Sequence, residues 1–304
     1  MTPFSPARTP SVPASPATVA IDWTRFKPFP SPFVGVTTFD ASNSDQVRRY
    51  IDWAAVLHTW ELPAGLPEVL DDAEWGATAR RLLADANDLL THWLSTGILR
   101  TEVVVGVWPA SAEGHQLVIR PGSSLPVRIA VPRIPVVAGI SYCLADFIRP
   151  VDALPTNVTD YIGGFAVRLH GPVDALIQDF TDSRDEYRAL LANDLWLAYR
   201  SAVADYLHYR LRRFIWAYCD DDDLSNEEVL AGHHQGIRVD SGSIACPDQA
   251  AEATLLALLA ADSWAPDGSR QEKGDRSPVL SGYFLAHPRS RTLAAFTNEW
   301  TRPA

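Results

Sequence analysis

Two groups in this chain could hold a charged ligand. The first is Arg238, in the run Gly236-Ile237-Arg238-Val239-Asp240-Ser241-Gly242-Ser243-Ile244-Ala245-Cys246-Pro247-Asp248. Its guanidinium keeps its charge and offers a planar fork of donors, which suits a carboxylate or a phosphate. Gly242 allows a sharp turn or a close backbone approach to a ligand. Pro247-Asp248 marks a helix start, whose first amides attract negative charge. The run has little apolar periodicity and reads as a loop. The second group is Asp52, beside Trp53 and followed by His58 and Trp60. A carboxylate among aromatic rings suits an amine or a sulfonium, through charge pairing and cation–π contact. Each has a plainer reading: a structured turn with a surface Arg, and a helix-terminal Asp beside core tryptophans.

Other groupings carry less. Gly163-Gly164 lacks the GxGxxG or Walker spacing, which argues against phosphate binding. The run Asp220-Asp221-Asp222-Asp223 has no spaced Gly and terminal Glu of an EF-hand and reads as a solvated loop. His233 and His234 are adjacent, so their side chains diverge, and no HExxH set accompanies them. No metal site is expected. Cys143, Cys219 and Cys246 are odd in number and form no CxxC pair, which fits reduced thiols in a cytoplasmic protein. Cys143 reads as a small core residue.

The elements that must position these groups can be read from periodicity. Asp45 to Tyr50 reads as a short helix capped by Asn43 or Ser44. Ala77 to Leu94 is amphipathic, with Leu82, Leu83, Ala86, Leu89, Leu90 and Trp93 on one side. Asp185 to Tyr218 is the longest helical stretch, about 50 Å at the α-helical rise. Leu191, Leu195, Ala198, Ala202, Tyr206 and Tyr209 form its apolar stripe. Ser225-Asn226-Glu227-Glu228 is a capping box, and Ala250 to Ala261 is a further apolar helix. Val103 to Ala110 is a β-branched strand ended by Pro109, with Gln116 to Ile119 as its hairpin partner. Asp160 to Val167 and Ser281 to Leu285 read as strands. Trp264 to Ser277 reads as a mobile loop, and residues 1–21 as a disordered Pro/Ser-rich tail with no signal-peptide core.

The 304 residues and 47% hydrophobic content suffice for a large core. A net charge of −11 with no basic stripe excludes nucleic acid as a partner. No run of about 18 apolar residues predicts a membrane span.

Taken in order, several of these segments resemble the activation domain of cobalamin-dependent methionine synthase. Tyr50-Ile51-Asp52-Trp53 with His58-Thr59-Trp60 is similar to its opening Tyr-Ile-Asp-Trp and Thr-Trp segments. Val105-Gly106-Val107-Trp108-Pro109-Ala110 is similar to its Val-Gly-Leu-Phe-Pro-Ala strand. Ser141 to Phe147, Asp160 to Val167 and Asp205-Tyr206-Leu207-His208 have close counterparts. Arg238 to Pro247 resembles its Arg-Pro-Ala-x-Gly-Tyr-Pro-Ala-Cys-Pro loop, and Ser281-Gly282 to His287-Pro288 its Ser-Gly-Trp-Tyr-Phe-Ser-His-Pro run. The resemblance covers about Asp22 to Phe296. It implies one α+β domain over residues 22–304, with a central twisted, largely antiparallel sheet flanked by long helices. It further implies S-adenosylmethionine as ligand, with Asp52, Arg238, Gly242, Ser243, Ala245, Phe284 and Leu285 at the binding positions. Arg238 would take the ligand's carboxylate and Asp52 its ammonium.

The departures bear on the pocket wall. Ser243 replaces the loop Tyr, Ile244 a Pro, Gly232 a Glu, and Ser201 a Glu on the long helix. A charged loop, Arg270 to Arg276, replaces an aromatic and small-residue segment. His208 could be a proton donor or a cobalt ligand, but a helix-borne His on a packing face reads as structural.

Three functions follow. A stand-alone activation protein would bind S-adenosylmethionine and restore methylcobalamin on a corrinoid-binding partner with a reductant; cobalamin would enter only through that partner, since no Asp-x-His-x-x-Gly motif occurs here. A repurposed methyltransferase-like enzyme would use S-adenosylmethionine or a related sulfonium without cobalamin, needing little beyond orientation and desolvation. A non-catalytic protein would keep only a decayed pocket.

Overall fold

The computed structural model describes residues 17–19, 21–39, 41, 44–63, 65–122, 124–134, 140–219, 224–225, 228–229, 231–264 and 279–290. The acidic run at 220–223, the cap candidate Asn43 and, apart from Trp264, the expected loop Trp264 to Ser277 lie outside them. Nine strands are described: β1 (Ala17–Thr18), β2 (Gly35–Phe39), β3 (Arg100–Glu113), β4 (Gln116–Ile119), β5 (Val127–Ala130), β6 (Ile140–Ser141), β7 (Asp160–His170), β8 (Ile237–Asp240) and β9 (Val279–Leu285). Six helices accompany them: α1 (Ser44–Arg48), α2 (Trp53–Thr59), α3 (Gly76–Ser95), α4 (Val173–Asp182), α5 (Glu186–Arg210) and α6 (Gln249–Leu258).

Seven strands form one sheet in the order β5-β4-β3-β7-β9-β8, with β2 also paired to β3. Every pairing within it is antiparallel. The short β1 and β6 pair in parallel, so Ala17–Thr18, inside the stretch expected to be a tail, are held in a ladder.

The two faces of the sheet carry different cores. On one face, Val103, Val105, Val107, Phe165 and Phe284 pack with Leu82, Leu90 and Trp93 of α3 and Leu195, Tyr199 and Leu207 of α5. On the other, Val104, Trp108, Ile162 and Tyr283 pack with Leu255 and Leu256 of α6. The alternation follows from the two-residue period of a strand, which sends successive side chains to opposite faces. Gly163-Gly164 serves this packing rather than a phosphate. A Cβ on Gly164 would lie 2.7 Å from Leu255 and 2.9 Å from the Trp108 ring.

Local reading and structure differ in three further places. β3 runs through Pro109 instead of ending there. Pro109 falls between the β2 ladder, which reaches Val107, and the β4 ladder, which starts at Ala110, so no bond is lost on that side. The long helix stops at Arg210 and continues as one π-helical turn, Leu211–Ile215. Finally, the run around Arg238 is not all loop: Ile237–Asp240 is the edge strand β8, with Ile237 and Val239 buried. The expected capping box is present, with Ser225 Oγ accepting from Glu228 N and Glu228 Oε2 accepting from Ser225 N.

Candidate functional site

β8 alternates Ile237 and Val239 toward α6 with Arg238 and Asp240 toward α5. Being four residues long and at the sheet edge, it is placed entirely by β9, where Arg238 pairs with Phe284 and Asp240 with Gly282. Gly282 is required there, because a Cβ would meet the Val239 carbonyl oxygen at 2.3 Å. After Asp240 the chain turns tightly. Ser243 N donates to Asp240 O, Gly242 N to Cys246 O, and Cys246 N to Ser243 O. Gly242 has φ +82°, the left-handed region that suits glycine. Asp248 then caps α6, its carboxylate accepting from Ala250 N at 2.9 Å.

Arg238 is the centre of a polar cluster. Its Nη1 donates to Asp205 Oδ1 at 2.7 Å and to the Ser201 carbonyl at 3.0 Å. Its Nη2 donates to Ser201 Oγ at 3.0 Å and to Asp240 Oδ2 at 3.1 Å. The Nε lies 3.0 Å from Asp240 Oδ1 in an ion-pair contact. Burial works against the guanidinium charge, but the Asp205 and Asp240 carboxylates outweigh it and raise the pKa above its usual value. For Asp205, burial pushes the carboxyl up to about 6; Arg238 opposes the rise, while Asp240 and Asp52 add to it. The cluster's side chains keep 16% to 31% of their surface open, so a solute can reach it.

Asp52, at the start of α2, acts on this cluster through its charge, which adds to the rise of the Asp205 carboxyl. Asp52 Oδ1 caps the helix by accepting from Ala55 N at 2.9 Å, and the residue is exposed. Asp52 is thus the helix-terminal carboxylate of the plainer reading, and its charge also acts on Asp205.

The remaining expected positions divide. Gly242 and Ser243 sit in the turn beside Asp240, and the Ser243 hydroxyl is buried without a hydrogen-bond partner. Ala245 is fully buried, backbone included. Phe284 and Leu285 are also fully buried, on opposite faces of β9. Phe284 stacks on Phe165 and His208 with ring centroids 4.7 Å and 4.8 Å away. His208 is 2% exposed and bonded to the Tyr218 hydroxyl at 3.1 Å. Burial holds its pKa well below the ordinary value, so it is a neutral packing residue. Cys143 is likewise buried, and burial raises its thiol. Among the described residues, no group of three or more His, Cys, Asp or Glu side chains could hold a metal ion, and no helix is long and apolar enough to cross a membrane.

Sequence reasoning missed Asp205 and Asp240. Asp205 was available as the acid preceding Tyr206-Leu207-His208. Asp240 was available as an acid two residues beyond Arg238, where a strand puts both side chains on one face.

Residues 43–295 match the family described as vitamin B12 dependent methionine synthase, activation domain. The chain belongs to this family. The family's fold is also met directly: the crystal structure of the MetH reactivation domain bound to AdoHcy is similar, with a TM-score of 0.78 and 32% sequence identity. That similarity covers 89% of this chain and 84% of the other. The activation-domain fold thus accounts for the mixed α+β architecture and its antiparallel sheet.

Proposed function

We propose that this protein binds S-adenosylmethionine at the polar cluster between β8, the turn after it, α5 and the start of α2, and offers the methyl group to a partner's reduced cobalamin. The observation that carries the reading is the part-exposed cluster of Arg238 with Asp205 and Asp240, whose Asp205 also feels the charge of Asp52, in a chain similar to an AdoHcy-bound domain. An amino-acid zwitterion needs one fixed cation and one fixed anion, and Arg238 and Asp52 supply them. Arg238 takes the carboxylate by exchanging it for one of its internal acids. Asp52 takes the ammonium, and Asp205 adds negative potential for the sulfonium. The orphaned Ser243 hydroxyl supplies a further polar contact. When bound, the sulfonium supplies an electrophilic methyl group. The protein's own task is to orient it and keep it open to the partner.

A second reading, an enzyme using a sulfonium compound without cobalamin, is favoured by the altered wall. Ser201 and Ser243 stand where the resemblance leads one to expect a Glu and a Tyr, and both lie at Arg238 or its adjoining turn. Smaller side chains there leave room for a second substrate.

Isothermal calorimetry tests the binding. Asn caps a helix about as well as Asp, so Asp52→Asn removes the charge and spares α2. S-adenosylmethionine should bind wild type, and Asp52→Asn and Arg238→Ala should each weaken it by about 1.5–3 kcal/mol. Equal affinity in either variant removes that residue from the site, and no binding to wild type overturns the reading.

A further inference from the structure

Arg238 enters the cluster already engaged. Its two terminal nitrogens make four hydrogen bonds, to Asp205, Asp240, the Ser201 hydroxyl and the Ser201 carbonyl. Its Nε faces Asp240 as well. A guanidinium has five N–H donors in a fixed fork, and each of its nitrogens is therefore turned to an acceptor of the chain itself. A ligand carboxylate can bind Arg238 only by displacing one of them. The Ser201 carbonyl belongs to the α5 backbone and cannot leave. Asp205 projects from the last two turns of the same helix. Asp240 is the last residue of a four-residue edge strand, before a tight turn, and its side chain is 31% exposed. It holds both the Nε and Nη2 side of the fork, the edge a carboxylate would take bidentately.

The charge balance points the same way. Asp205 and Asp240 face Arg238, and Asp52 and the buried Arg212 also act on Asp205. Three carboxylates stand against two guanidinium groups, and only Arg238 is part-exposed. Such a cluster attracts cations and resists a free carboxylate.

We propose that Asp240 is a specificity-determining residue, an internal competitor for Arg238 that makes ligand selection depend on the sulfonium charge. The inference rests on the binding reading above. S-adenosylmethionine carries the sulfonium and the ammonium against one carboxylate, while its demethylated product has lost the sulfonium charge. With Asp240 in place, the anionic end of either ligand is disfavoured, and only the charged sulfonium recovers the loss from the acidic cluster. Removal of Asp240 frees Arg238 for the carboxylate of both ligands and lowers the negative potential that distinguishes them. In the loop motif of the resembled family the corresponding position is Ala, so the competitor is a feature of this chain.

Calorimetry with S-adenosylmethionine and S-adenosylhomocysteine, each on wild type, Asp240→Ala and Asp240→Asn, tests this at low and high salt. Wild type should prefer the sulfonium. In Asp240→Ala the affinity for S-adenosylhomocysteine should rise about fivefold to tenfold, with a smaller change for S-adenosylmethionine, so the preference shrinks. Asp240→Asn, which keeps the shape, should do the same to a lesser degree, and high salt should reduce the wild-type preference. A general structural defect would weaken both ligands together and leave their ratio alone. If both ligands bind wild type and neither variant changes the ratio, the role of Asp240 is overturned while the binding reading stands. If neither ligand binds wild type, both fall.

Discussion

At the scale of the residue, a buried polar group reports what its surroundings allow. His287 is 6% exposed and ringed by Trp23, Phe26 and Phe147, with centroid distances of 5.4, 4.2 and 6.4 Å. Its Nδ1 accepts from Arg289 N, and its Nε2 is buried without a partner. Burial lowers its pKa from 6.5 to about 4, with Arg289 adding to the shift. The folded state thus resists taking up a proton that the unfolded chain accepts. This stability is fully present above the unfolded pKa of 6.5 and is lost as pH falls toward 4. Between pH 7 and pH 5 the loss from this one group is about 2 kcal/mol. Phenylalanine fits the same ring slot and carries no orphaned N–H. His287→Phe should therefore lose about 2 kcal/mol less than wild type between pH 7 and pH 5, measured by urea unfolding at both values. A parallel fall in the two proteins would show that His287 is readily protonated in place.

The element that matters most for the site is the one the sequence disclosed least. α3 and α6 could be placed to within a few residues, because their apolar stripes are local and long. β8 has only two apolar positions, and what makes it a strand is β9, more than thirty residues away in the chain. Arg238 and Asp52 were visible as charges near glycine and aromatic residues. Asp205 and Asp240 were hidden because their importance comes from meeting Arg238, which pairing and helix packing decide. Gly282 links this placement to the cluster. The atom its Cβ would strike is a backbone oxygen of β8, which cannot rotate aside. Gly282→Ala should force β8 away from β9 at the Asp240 pair, costing about 1–3 kcal/mol as overpacking does. It should also reduce ligand affinity, although residue 282 bears no ligand-binding group. Thermal unfolding and calorimetry on the same sample check both. A variant with wild-type stability and affinity would show that the β8–β9 pairing is not held as described.

At the scale of the whole molecule the question is where the methyl group goes. Family membership extends over residues 43–295, so the scaffold around the cluster is retained as a unit and not as an isolated pocket. A sulfonium held at the Arg238 cluster needs no further side chain of this protein if a reduced corrinoid docks there as the nucleophile. An enzyme acting alone needs its second substrate bound beside the sulfonium, in space opened near Ser201 and Ser243. The two readings therefore part on whether methyl transfer occurs without a partner. No Asp-x-His-x-x-Gly motif occurs in these 304 residues. Incubated with hydroxocobalamin and then gel-filtered, the protein should emerge colourless. Mixed with S-adenosylmethionine, a reductant and a cobalamin-loaded partner, it should convert cob(II)alamin to methylcobalamin, followed by absorbance. Asp52→Asn and Arg238→Ala should slow the conversion, because both act on how the ligand is held. If S-adenosylmethionine is instead consumed by this protein with no corrinoid present, and a new methylated product appears by mass spectrometry, the altered wall has built an enzyme and the partner role is excluded.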